Sequence, residues 1–173
     1  MPRALRAILL GGLIAGTLDI SYACINGYVQ RGTRPSRILQ SVASGALGAE
    51  AFKGGTKTAM LGLVFHFLIA FTAAAVYYGL SRKLRMMITR ALLCGMLFGL
   101  AVYLFMNFVV LPLSAVPFKV SFALPNLVGG LLIHMFGIGV PIALVVRKHS
   151  SNCAVFEWRS SGRPFDTLPE ARL

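Results

Sequence analysis

Four stretches of the chain, residues 7–28, 58–80, 88–112 and 122–146, are apolar around the whole helical circumference, not on one side. A helix in water keeps a polar face. A helix in lipid satisfies its backbone internally and can be apolar all round. Each stretch meets the length of about 20 residues that a hydrocarbon core of about 30 Å requires. The pattern predicts an all-α, polytopic four-transmembrane-helix bundle in one membrane domain, residues 1–147. Pro112 and Pro125 fall near span ends, where a missing N–H is tolerated.

Between the first two spans, Ile38, Leu39, Val42, Ala46 and Leu47 recur at near-helical spacing. They predict a short amphipathic helix over 36–52, either a connector lying among headgroups or a lid over the bundle. Gly54-Gly55 supplies a flexible joint into the second span. The second such loop, 113–121, is short and makes spans three and four antiparallel neighbours. Residues 148–173 read as a polar tail, disordered and cytoplasmic, with Trp158 at the headgroup layer.

Composition agrees with a membrane solvent, since 57% of the 173 residues are hydrophobic and 13% charged. The net charge of +12 comes from basic residues lying between the apolar runs, so it reads as topology signals and contacts to anionic headgroups, with no nucleic-acid partner. With the N-terminus inside, Arg3, Arg6, Arg82, Lys83, Arg85, Arg90, Arg147, Lys148 and three tail arginines are cytoplasmic. Arg31, Arg34, Arg37, Lys53, Lys57 and Lys119 are then external. The expectation is a multi-pass protein of a bacterial cytoplasmic (inner) membrane with both termini cytoplasmic. Arg3 and Arg6 before an apolar run ending in Ser21-Tyr22-Ala23-Cys24 imitate a cleavable leader, but Asp19 within that run argues that the first helix stays.

Polar groups inside a span cost free energy unless neighbouring helices shelter them. Here they are Asp19, His66, Asn107, Asn126 and His134. Asp19 and His66 each lie about eight residues from the same face of the membrane, about 12 Å at the helical rise, and the other three lie at similar depth. Four of them share a stripe with small residues: Gly12 and Gly16 with Asp19, Gly62 with His66, Gly99 with Asn107, and Gly130 and Gly137 with His134. Together with Gly95, these glycines are the expected helix-packing positions. Gly12-x-x-x-Gly16 and Gly95-x-x-x-Gly99 fit homo-oligomerisation and intramolecular packing equally.

Three readings of the polar layer remain open. The leading one is structural: interhelical hydrogen bonds fix the register of a small non-enzymatic membrane protein. The second is proton- or ion-linked permeation by an oligomer, because an interior Asp-His chain suits proton relays. The third takes His66 and His134 as ligands of a haem or metal. No cofactor is expected under the leading reading. Phosphate-binding loops, a nucleophile elbow and carboxylate pairs are missing, which disfavours an enzyme.

Gly12-Leu-Ile-Ala-Gly-Thr-Leu-Asp19, Phe65-His66-Phe67, Met106-Asn107-Phe108, Pro112-Leu113-Ser114 and Ile133-His134-Met135 resemble uncharacterised bacterial four-span membrane proteins, and more remotely the YagU-type inner-membrane family. The resemblance covers residues 7–147. It implies an inner-membrane location, a link to envelope or acid stress, and no known reaction. This chain has a shorter first external loop than the YagU type and adds a long basic tail.

Overall fold

A computed structural model describes residues 2–118 and 124–160, with backbone alone over 151–160. The elements run α1 (Arg3–Arg31), α2 (Pro35–Leu47), a 3-10 turn (Gly48–Phe52), α3 (Gly55–Lys83), α4 (Met86–Thr89), α5 (Ala91–Leu113) and α6 (Leu124–Ser150). No strand occurs among the described residues. Helices α1, α3, α5 and α6 are long and apolar enough to cross a membrane, and the chain is a four-helix multi-pass protein. Leu13, Leu18, Val64, Leu68, Leu97, Leu104 and Phe136 point outward, an arrangement that hydrocarbon welcomes and water does not.

The helices exceed the expected spans because their basic ends stay helical. Arg3 and Arg31 lie within α1, and Arg82 and Lys83 within α3, since long cationic side chains reach the headgroups from inside the last turn. The third span starts later than expected, because Arg90 leaves helical geometry between α4 and α5. The helix of α6 continues to Ser160, through the first part of the stretch expected to be disordered. Residues 122 and 123 of the expected fourth span, Lys119 and residues 161–173 lie outside the described residues.

Two glycines let the chain turn. Gly32, at φ 62, ends α1 in the left-handed conformation and donates its N–H to the last-turn carbonyls. Gly55, at φ 57, opens α3 at the expected joint.

The two halves of the bundle differ. At the end that carries the N-terminus, Ala7, Ala74, Tyr77, Met87, Ala91, Ile142, Ala143 and Val146 pack into a continuous core. Tyr77 is fully buried, donates its O–H to the Met87 carbonyl at 3.0 Å, and stands edge-on to Phe98 at 5.1 Å. Helices α5 and α6 meet there almost backbone to backbone: Gly139 faces the Gly95 carbonyl oxygen, and Gly99 faces that of His134. Without an aqueous hydrophobic drive, such dispersion-rich seams hold membrane helices together.

At the distal end the helices part. Helix α5 passes through a π-helical stretch at Met106–Val110, where the Leu111 N–H bonds the Met106 carbonyl five residues back. Helix α6 has a π-helical stretch too, over Ile133–Gly139 with the Val140 N–H on Met135, and this one lies along the packed seam with α5. Each wide stretch runs directly into a proline, Pro112 or Pro141. Proline has no N–H for the carbonyl four residues back and its ring crowds that carbonyl, so the preceding turn opens.

Candidate functional site

The parted end encloses a cavity of about 750 Å³. Asp19 from α1, His66 from α3, Asn107 from α5, and Asn126 and His134 from α6 all line it. The five polar positions singled out in the sequence thus share one space. Its wall also includes residues the polar pattern did not mark: Tyr22, Asn26 and Arg31 on α1, Tyr103 on α5, and Ser41 and Ser114. Tyrosine and serine are ordinary in apolar helices, so only their placement brings them forward.

Helix α2 lies over this space, contributing Ile38, Ser41, Val42, Gly45 and Ala46 to its wall. The amphipathic segment, expected as a headgroup connector or as a lid or re-entrant element, is thus part of the cavity wall. Its attachment to α3 is close, because Gly62 faces the Leu39 carbonyl oxygen with no room for a side chain. Gln40 is buried and donates its Nε2–H to the Gly55 carbonyl at 2.9 Å, and the Thr58 hydroxyl donates to Ala51 at 2.6 Å. On the other side, the Ala115 N–H reaches the Gly45 carbonyl at 2.9 Å. The Phe52 and Phe118 rings meet at 6.4 Å, with the Arg37 guanidinium 4.2 Å over the Phe52 centroid.

The hydrogen bonds of the polar residues alter the structural reading. His66 donates its Nε2–H to the Gly16 carbonyl at 2.8 Å, joining α3 to α1 as expected of a register pin. The others do not bridge helices. His134 donates its Nδ1–H to Gly130 at 2.9 Å, and Asn107 its Nδ2–H to Tyr103 at 2.9 Å, each one turn back on its own helix. A carbonyl oxygen only accepts, which fixes the donating ring nitrogen of each histidine. The buried Asn126 Oδ1 has no partner among the described residues. Asp19 and His66 lie within electrostatic reach of His134, and the Tyr103 ring stands edge-on to the His134 ring at 5.2 Å.

No family model, curated protein or solved structure matches the chain. The site therefore stands on its geometry.

The packing glycines take the places that their stripes imply. Gly12 and Gly16 lie against Phe71 and Phe67 of α3, Gly95 and Gly99 against α6, and Gly130 against Tyr103. Both glycine pairs are thus spent on contacts within the chain. Gly62 packs against α2, not a spanning helix, and Gly137 is buried beside Ile133 of its own helix, with Leu18 of α1 3.8 Å from where its Cβ would stand. As for metal, no group of three His, Cys, Asp or Glu side chains suited to an ion occurs among the described residues. Asp19, His66 and His134 share the cavity wall but do not form such a group.

Proposed function

We propose that this chain is a non-enzymatic protein of a bacterial cytoplasmic membrane that holds a small molecule in its distal cavity, where Asp19, His66 and His134 exchange protons. The observation that carries the reading is the sharing of one cavity by Asp19, His66 and His134, which come from three different spans. A volume of about 750 Å³ falls in the range of small-molecule sites, which are mostly apolar with a few placed polar groups. A purely structural layer would spend its polar atoms between helices, and here only His66 does so.

The packed core at the N-terminal end favours a chamber open to one side over a continuous pore. On the balance of basic residues, the N-terminal end is cytoplasmic and the cavity faces outward. Reporter fusions after Leu80 and Val146 are expected to report cytoplasm, and one at Phe118 the exterior. The reverse pattern would invert the cavity's orientation.

The chamber itself is tested by thiol labelling in a cysteine-free background. Ala23→Cys and Val102→Cys, on the cavity wall, are expected to react with a membrane-impermeant maleimide added outside. Ala143→Cys, in the packed core, is expected to stay unlabelled. Protection of both wall positions would mean a closed, lipid-filled void and would end the proposal. In liposomes under a pH gradient, proton flux unchanged by Asp19→Asn would exclude Asp19 from proton exchange.

A further inference from the structure

We infer that the cavity accepts a primary ammonium cation carried on an apolar body, an inference that rests on reading the cavity as a binding chamber. Its basis is the direction in which the polar atoms of the wall are already committed. His66, His134 and Asn107 each give an N–H to a backbone carbonyl, at 2.8, 2.9 and 2.9 Å. Ser41 and Ser114 give their only O–H to Ile38 and Leu111, at 2.6 and 2.7 Å. The imidazole N–H groups and the serine hydroxyls are thus used up inside the protein, and Asn107 keeps one amide N–H. With both imidazoles neutral, Nδ1 of His66 and Nε2 of His134 join Oδ1 of Asn107 and the serine lone pairs as uncommitted acceptors.

Two further acceptors point the same way. The Asn126 Oδ1 is buried with no partner among the described residues, and a buried polar atom left unpaired calls for a ligand or water to satisfy it. A carboxylate such as Asp19, ionised, can only accept. An ammonium group, with three N–H donors and a positive charge, is the complement of such a wall. A carboxylate ligand at the same depth would face the Asp19 carboxylate. A neutral alcohol could satisfy one acceptor only.

The wall keeps donors as well: the Tyr22 and Tyr103 hydroxyls, the second Asn107 N–H, Asn26 and Arg31. Asn26 accepts from Gln30 at 2.6 Å through its amide oxygen, which leaves its NH2 as a donor, and Arg31 is the last residue of α1. Both are nearer the distal mouth than Asp19. The cationic head is thereby directed inward along α1, away from the Arg31 guanidinium. Val102, Met106, Ile69 and Ile133 supply the apolar wall for the body, and the Tyr103 ring offers a π face.

The experiment uses the full chain in nanodiscs of phosphatidylcholine and phosphatidylglycerol, with empty nanodiscs as baseline. Isothermal titration compares three probes of one shape: 2-phenylethylammonium, 2-phenylethanol and 3-phenylpropanoate. The ammonium is expected to bind roughly tenfold or more tightly than either analogue, the size of one charge-assisted hydrogen bond. Asp19→Asn is expected to erase most of that advantage. Equal binding of the three, tighter carboxylate binding, or an advantage undiminished in Asp19→Asn overturns the inference while leaving the chamber intact. Binding of none of them overturns the chamber and the inference together. Because the comparison of probes is made on the native chain, it holds even if the variant fails to fold. Lipid headgroups also carry primary ammonium groups, so a second set of nanodiscs includes phosphatidylethanolamine. Competition there identifies a lipid headgroup as the occupant, and its absence a free amine.

Discussion

Replacing Gly99 by alanine adds one methyl group at a point of near backbone contact in the α5–α6 seam. The new Cβ would overlap the His134 carbonyl oxygen and stand 2.7 Å from both the His134 carbonyl carbon and the Met135 Cα. Ordinary carbon contacts begin near 3.5 Å, so α6 must retreat by roughly 1 Å. The obstructing atoms are backbone and cannot rotate aside. The retreat also loosens the neighbouring contact of Gly139 with the Gly95 carbonyl. Overpacking costs about 1–3 kcal/mol, and a rigid obstacle places this variant near the upper end. Gly79→Ala is the matched control, because a Cβ on Gly79 meets nothing within 4 Å. There the same change removes only glycine's helix penalty, for a gain of at most about 1 kcal/mol. Unfolding in mixed detergent micelles, read by a thiol-reactive dye on Cys94, separates the two, since Cys94 is 7% exposed in that core. The other cysteines are replaced by serine for the assay. If Gly99→Ala unfolds within about 0.5 kcal/mol of Gly79→Ala, the backbone seam does not exist as described.

Tyr77→Phe removes the buried hydrogen bond to Met87 and is expected to cost about 1 kcal/mol in the same micelle assay; an unchanged midpoint would show that the bond contributes nothing. Gln40→Ala frees the Gly55 carbonyl from its side-chain donor and should loosen α2 without unfolding the bundle. Faster hydrogen exchange confined to residues 35–58 is the expected readout, and uniform exchange across the chain would contradict it. Elemental analysis and a visible spectrum of the purified protein are expected to show neither stoichiometric metal nor haem; a bound metal lost on His66→Ala would replace the proposed chamber with a cofactor site.

The spans were legible because hydrocarbon imposes one rule on every residue of a crossing helix, and continuous apolar runs obey it without reference to partners. The polar positions were legible for the complementary reason: Asp19 and His66 stand out against such runs, and their depth follows from counting residues. What each polar atom bonds was not. Whether His134 reaches across to another helix or back to Gly130 depends on local backbone geometry, not on spacing along the chain. Nor does spacing reveal empty volume. The π-helical stretch of α5 at the distal end runs up to Pro112, which the sequence showed only as a span end. The place of α2 in the cavity wall was equally out of reach, since amphipathicity over 36–52 fits a headgroup surface as well as the wall of a cavity.

The stretch Ile133–Gly139 has a consequence for how α6 is written in sequence. With five-residue closure in place of four, the helix holds a surplus residue there, and everything after it is rotated by about 100° relative to an uninterrupted spiral. Two phases therefore coexist in one rod, and each can be tuned separately: Asn126 and Gly130 obey one, Ile142, Ala143 and Val146 the other. Shortening the stretch by a single residue would merge them into one phase. The chain could then aim α6 correctly at either the chamber or the core, and no longer at both.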